Sequence, residues 1–169
     1  MARPETALAE SVCLAVVASG VDYGGAVAAL LAPGAELGRI WSLSKPLTYR
    51  AIDALVTEGS IDRRGTAPGR GRERSLLSPT RRGRRIADRW LAEPVAHLRE
   101  VRTELLLKFA VLERMGRSRR PLALAQQAQF APIIAAILAD AENDVVSIWR
   151  RQHALAVEQF LEQVIGVES

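Results

Sequence analysis

Apolar positions recur at helical spacing through most of the chain. Between Thr6 and Ala18, Leu8, Val12, Ala15 and Val16 share one face, and Ser19-Gly20 ends the run. Asp22 is the expected N-cap of a second helix from Tyr23 to Leu31, closed by Pro33-Gly34. A third helix is predicted from a cap at Ser44 to about Glu58, with Gly59 as its C′ stop. Pro46 falls in its first turn, where a missing N–H costs nothing. Its expected apolar face is Leu47, Ala51, Ile52, Leu55 and Val56, opposite Lys45, Thr48, Arg50 and Asp53.

The pattern then changes. Ile61–Arg64 and Arg74–Ser78 read as two short strands around a Gly/Pro/Arg tip, a β-hairpin. Ser78-Pro79 is expected to start a fourth helix through Ile86, Trp90 and Leu91, ending at Glu93-Pro94. Leu98 to Met115 repeats apolar residues at 98, 101, 105, 109 and 112. Pro121 opens a further helix, and Pro132 marks a restart. A last long helix is predicted from about Ala141 to Ile165, with Val145, Ile148, Trp149, Leu155, Phe160 and Val164 on one stripe. Three helices followed by a hairpin is the order of a winged helix-turn-helix. The expected fold class is therefore mostly α: a winged unit over 1–94, then a helical dimerisation unit over 95–169.

Composition supports this. Hydrophobic residues make up 49% of the 169 and aromatics only 5%, with Ala and Leu dominant, which favours helices over a β-sandwich. Charge changes the picture more. Residues 63–89 carry a net +8, whereas 1–62 carry −3 and 90–169 carry −1. A focal cationic patch points to a polyanionic partner, most often nucleic acid. The lone Cys13 excludes an intrachain disulfide and fits a reducing compartment. No apolar run is expected to reach the ~18–20 residues of a membrane span, and no signal peptide is indicated, so the expected location is cytoplasmic. His97 and His153 are isolated, so no metal or other cofactor is expected. No nucleophile or phosphate-loop motif is present, and the chain is not expected to be an enzyme.

Candidate contacts with double-stranded DNA are Ser44, Lys45, Thr48, Tyr49 and Arg50 at the start of the third helix, and Arg70, Arg72 and Arg74 on the hairpin. A recognition helix meets the major groove with its N-terminal residues. Arg50 could read guanine bidentately, and Thr48 could touch a thymine methyl or a phosphate. Tyr49 suits either a phosphate contact or partial core packing, since Ile52 and Leu55 follow it at i+3 and i+6. The hairpin arginines suit phosphate or minor-groove contacts. Arg81, Arg82, Arg84 and Arg85 open the fourth helix and read as a solvated face or a further contact. Trp149 and Phe160 read as dimer core or as the wall of an effector pocket. A rival reading is a winged helix whose basic loop docks an acidic protein.

Three segments resemble the PadR family of transcriptional regulators over roughly 1–165. The third helix, Leu47-Thr48-Tyr49-Arg50-Ala51-Ile52-Asp53-Ala54-Leu55-Val56-Thr57-Glu58-Gly59-Ser60-Ile61, is similar to the family's Tyr-x-x-Leu-x-x-Leu-x-x-x-Gly-x-Ile pattern. The hairpin and its exit, Gly69-Arg70-Gly71-Arg72 and Leu77-Ser78-Pro79-Thr80, resemble the family's Gly-Arg wing and the segment after it. Val101-Arg102-Thr103-Glu104-Leu105-Leu106-Leu107-Lys108 is similar to the segment that opens the longer C-terminal domain. The chain departs at Val56, where the family often has an acid, and in Arg81-Arg82 before Gly83. The resemblance implies a homodimer paired through its C-terminal helices and bound to an inverted-repeat operator. It further implies repression of a neighbouring gene and a small aromatic or phenolic effector.

Overall fold

The computed structural model describes residues 5–67 and 74–167. It divides into two compact units, Met1–Leu91 and Ala92–Ser169. The first contains α1 (Glu5–Ala18), α2 (Gly24–Leu30), α3 (Lys45–Thr57), β1 (Ile61–Ala67), β2 (Arg74–Pro79) and most of α4 (Arg81–Ala92). The second contains a 3₁₀ turn (Leu98–Glu100), a π-helical turn (Val101–Leu105), α5 (Leu106–Arg114), α6 (Arg120–Leu138) and α7 (Val145–Val167). Three helices, a two-stranded antiparallel hairpin and a following helix make the first unit a winged helix-turn-helix. The second unit is helical.

α1 is the centre of the first unit. Every residue from Val12 to Val17 is buried, so this helix is apolar all round and not on one stripe. Burial and the negative charge of Glu10 push the Cys13 thiol up to about 12, so it stays protonated and inert. α1 packs against α3, whose buried residues are Thr48, Ala51, Ile52 and Leu55.

Asp22 does not stand at the cap of α2. That position is Tyr23, in extended backbone, and Tyr23 bridges to Leu76 of β2. The Leu77 N–H donates to the Asp22 carbonyl at 2.6 Å. The segment before α2 therefore lies along the hairpin, a long-range pairing that local cap chemistry does not reveal. Gly24 follows because a Cβ there would lie 2.8 Å from the Tyr49 ring.

The hairpin pairs Ile61 with Pro79, Asp62 with Ser78 and Arg63 with Leu77. A bulge between Arg63 and Thr66 contains Gly65, whose φ of +63° suits glycine. β1 thus continues past Arg64 to Ala67, beyond its predicted end. β2 ends at Pro79, so α4 starts two residues after the predicted Ser78-Pro79 start. The Thr80 hydroxyl accepts the Gly83 N–H at 2.9 Å and donates to the Gly59 carbonyl at 2.9 Å, tying α4 to the end of α3.

In the second unit, α6 and α7 pack on each other, and Phe109 of α5 meets Phe160 of α7 at 6.1 Å between ring centres. α6 runs unbroken through Pro132, where a restart was expected. Phe130 and Ile134, on either side of the proline, are both buried, so tertiary packing holds the turn that Pro132 weakens. α6 is 19 residues long and contains an 18-residue window with a mean hydropathy of 1.4, so it is long and apolar enough to cross a membrane by length and composition. This corrects the expectation that no run would reach that length. The helix includes three glutamines, which interrupt the apolar run and lower its average without taking it below that of a spanning segment. Gln126 is fully buried and bonds to protein backbone, and the buried residues Leu122, Ala123, Gln126, Phe130 and Ile134 form one face of a helix otherwise largely exposed.

α7 begins at Val145, four residues after the predicted start at Ala141. The Asp144 carboxylate accepts the Val146 N–H (2.8 Å), the Ser147 N–H (3.3 Å) and the Ser147 hydroxyl (2.8 Å). The Ser147 hydroxyl, followed by the two backbone N–H groups, holds the Asp144 carboxyl below its ordinary value of 3.8. A lowered folded value contributes stability above the ordinary carboxylate value and loses it as pH falls through the lowered one. Asp144→Asn should therefore abolish a small acid-side loss of α7 helicity, read as circular dichroism from pH 6 down to about pH 2 in wild type and variant.

Candidate DNA interface

α3 stands on the core of the first unit and presents its first two turns outward. Ser44, Lys45, Tyr49 and Arg50 are all exposed. Ser44 occupies the N-cap position, but its side chain makes no capping bond; its carbonyl accepts from the Thr48 N–H at 2.9 Å. The Tyr49 ring lies against Gly24 while the residue remains 39% exposed, so the partial packing foreseen for it is present.

Thr48 is a correction. It is 0% exposed, and its hydroxyl donates to the Ser44 carbonyl at 3.1 Å, so it has no surface for a base or phosphate. Leu47 shows the matching difference. Expected in the core, it is 43% exposed. Successive helical residues differ by about 100° in direction, which sets Thr48 in the middle of the stripe formed by Ala51, Ile52 and Leu55 and Leu47 at its edge.

The basic segment resolves into different environments. Arg63 on β1 pairs with Asp53 of α3, fastening the hairpin to the helix. Arg64 pairs with Asp62 at 3.6 Å. Arg74 starts β2 and pairs with Ala67 in the ladder, whereas Arg70 and Arg72 lie outside the described residues. On α4, Arg81, Arg84, Arg85 and Arg89 are exposed opposite the buried Gly83, Ala87, Trp90 and Leu91. Arg82 donates instead to the Glu58 carbonyl at 2.6 Å.

Trp149 and Phe160 do not come together. They are 11 positions apart on one helix, about 16 Å along its axis. Trp149 is 66% exposed and stacks on His153 at 5.7 Å, while Phe160 is half-buried against Phe109.

Lys108 and Gln126 are the residues whose roles sequence reasoning missed. Lys108, 1% exposed, donates from Nζ to the Glu93 carbonyl at 2.6 Å and pairs with Glu104 at 3.1 Å. Gln126 accepts the Val95 N–H at 2.7 Å and donates to the Val95 carbonyl at 3.0 Å, and Gln129 donates to the same carbonyl at 2.9 Å. Three side chains thus fasten the 93–95 segment within the second unit. The signal was a single lysine inside Leu105-Leu106-Leu107-Lys108-Phe109-Ala110-Val111-Leu112, a charge with no solvent face available to it.

The winged helix with its exposed α3 and basic hairpin defines the class of architecture. No family model matches the chain, and no curated protein matches it. Among solved structures it is similar to Bacillus subtilis PadR in complex with operator DNA, at 18% identity and a TM-score of 0.46, over 92% of this chain and 97% of that one. It is also similar to Bacillus subtilis PadR, at 17% identity and a TM-score of 0.45, over 99% of this chain and 98% of that one.

Proposed function

We propose that this protein is a sequence-specific DNA-binding transcriptional regulator, not an enzyme. In this reading it is a cytoplasmic, ligand-responsive homodimeric repressor on an inverted-repeat operator. The observation that carries the reading is the exposure of Ser44, Lys45, Tyr49 and Arg50 on the first turns of α3, beside the most basic segment of the chain. Arg50 reads a base edge, Ser44 and Lys45 meet phosphates, and the Tyr49 hydroxyl meets a phosphate. Arg70, Arg72 and Arg74 contact the adjacent backbone or minor groove. Two copies place their α3 helices one helical turn of DNA apart, roughly 34–36 Å.

Selection from random DNA followed by fluorescence anisotropy tests this directly. A palindromic consensus is expected, with affinity that falls steeply as salt rises; binding indifferent to sequence and salt would return the winged unit to a protein-docking role. Replacing Arg70 and Arg72 together by Ala should weaken binding and flatten the plot of log K against log salt by about two phosphate contacts' worth. An unchanged slope removes the hairpin tip from the interface.

Self-association is supported by the start of α7, where Val145, Val146, Ile148 and Trp149 leave large apolar surface in water. Trp149→Glu should shift the chain from dimer to monomer in light scattering and lower operator affinity, with circular dichroism unchanged. A dimer that survives this change does not use that face. A small aromatic effector acting at the dimer core would alter the spacing of the two wings. Titrating operator complexes with aromatic compounds checks that step, and affinity unmoved by every compound that binds the protein would refute it.

A further inference from the structure

Between α1 and α3 lies a cavity of about 140 Å³ that opens beside the exposed face of α3. Its wall is Ala9, Leu43, Leu47 and Ala51, and its polar lining is Thr6, Glu10 and Arg50. Leu47 sits at this mouth, which accounts for a large apolar side chain left nearly half in water. Glu10 and Arg50 carry opposite charges on the two packed helices, and no ion pair joins them among the described residues. An apolar cavity with a few convergent polar groups is the usual form of a small-ligand site.

The charges narrow the ligand. A simple anion would face Arg50 but also Glu10, and a simple cation would meet the reverse conflict. A purely apolar molecule would fill the wall and leave both charges unused. A molecule with an ammonium, a carboxylate and a compact branched aliphatic body satisfies all three parts, with charge-assisted hydrogen bonds at each end. We propose that this cavity is a binding site for a small apolar amino acid, its ammonium on Glu10, its carboxylate on Arg50 and its side chain among Leu43, Leu47, Ala9 and Ala51. The cavity alone carries the binding site. Its consequence rests on the reading of Arg50 as a base-contacting residue: an amino acid held by Arg50 occupies the guanidinium that DNA would use, so the two compete.

The probe is L-leucine, titrated into the full chain without DNA and followed by methyl NMR. The Leu43 and Leu47 methyl signals should shift. Two half-molecules serve as controls: 4-methylpentanoate lacks the ammonium, and 3-methylbutylammonium lacks the carboxylate. Each should bind at least about tenfold more weakly, the loss of one charged hydrogen-bonding group. Glu10→Gln, close in shape, should weaken leucine by a similar factor while leaving its DNA affinity intact, and Leu47→Ala should weaken it through the wall. No shift at the solubility limit, equal binding of either half-molecule, or shifts confined to other methyl groups would overturn the site. With selected DNA present, leucine should raise the apparent Kd for wild type, and Glu10→Gln should need about tenfold more leucine for the same rise. Leucine binding that leaves DNA affinity unchanged overturns the competition. A chain that binds leucine but no DNA refutes the regulator reading and leaves the site standing.

Discussion

Lys108→Ala should destabilise the second unit by about 3–5 kcal/mol, the range for removing one member of a buried ion pair. The Lys108 side chain is 1% exposed and that of Glu104 only 13%. Truncation removes the ammonium that pairs with the Glu104 carboxylate and donates to the Glu93 carbonyl, and it leaves a void where the lysine stem packed. Typical stabilities are about 5–15 kcal/mol, so such a loss is a large share of the whole. Urea denaturation of the full chain measures it. The pair Lys108→Met with Glu104→Gln should lose far less, because both charges leave together and the methionine keeps the stem. Lys108→Ala within 1 kcal/mol of wild type would show that the pair contributes little. The Glu93 carbonyl bond also predicts faster amide exchange over 93–97 in the single variant, since one of the fastenings of that segment is cut.

Gly83→Ala should behave in the opposite sense to helix propensity. Gly83 lies in the first turn of α4, where alanine ordinarily gains about 1 kcal/mol over glycine. A Cβ at this position would stand 2.0 Å from the Ser60 carbonyl oxygen and 2.9 Å from its carbon. Those atoms are backbone, and the same carbonyl accepts the Thr80 N–H at 3.0 Å, so they cannot swing aside. The substitution must push α4 off the end of α3, a cost of about 1–3 kcal/mol or more that outweighs the propensity gain. Gly166 in α7 is the internal control. Nothing lies within 4 Å of a Cβ built there, so Gly166→Ala should raise the melting temperature slightly. Thermal melts of the two variants should therefore move in opposite directions, and a rise for both would show that α4 can yield.

Much of the first unit was legible in the residues. The order of three helices, hairpin and helix follows from apolar period, from Gly20 and Gly59 as stops, and from Gly and Pro around the hairpin tip. Gly59 has a φ of +72°, as its C′ place requires. Ser44 was placed correctly as a position and incorrectly as a hydrogen-bonding cap. Of the residues proposed for the DNA surface, Ser44, Lys45, Tyr49 and Arg50 are exposed as expected, and Thr48 is not. Thr48 failed because a threonine can enter a core once its hydroxyl returns to the carbonyl one turn back, and polarity alone does not show that. Pro132 and Asp22 failed for a related reason. Local rules describe what a short segment prefers, and here partners distant in sequence outweigh them: the α7 packing in one case and the β2 backbone in the other.

Element type, element order and the concentration of arginine between 63 and 89 depend on residues a few positions apart, so the sequence alone determined them. Which side of α3 faces water, why Gly83 has no side chain, where the Lys108 charge goes and what Glu10 and Arg50 enclose depend on surfaces that meet only after folding. The tertiary structure decided these. Periodicity sets Thr48 in the middle of the α3 stripe and Leu47 at its edge, but only the packed structure shows that the threonine is buried and that the leucine lines a cavity half in water.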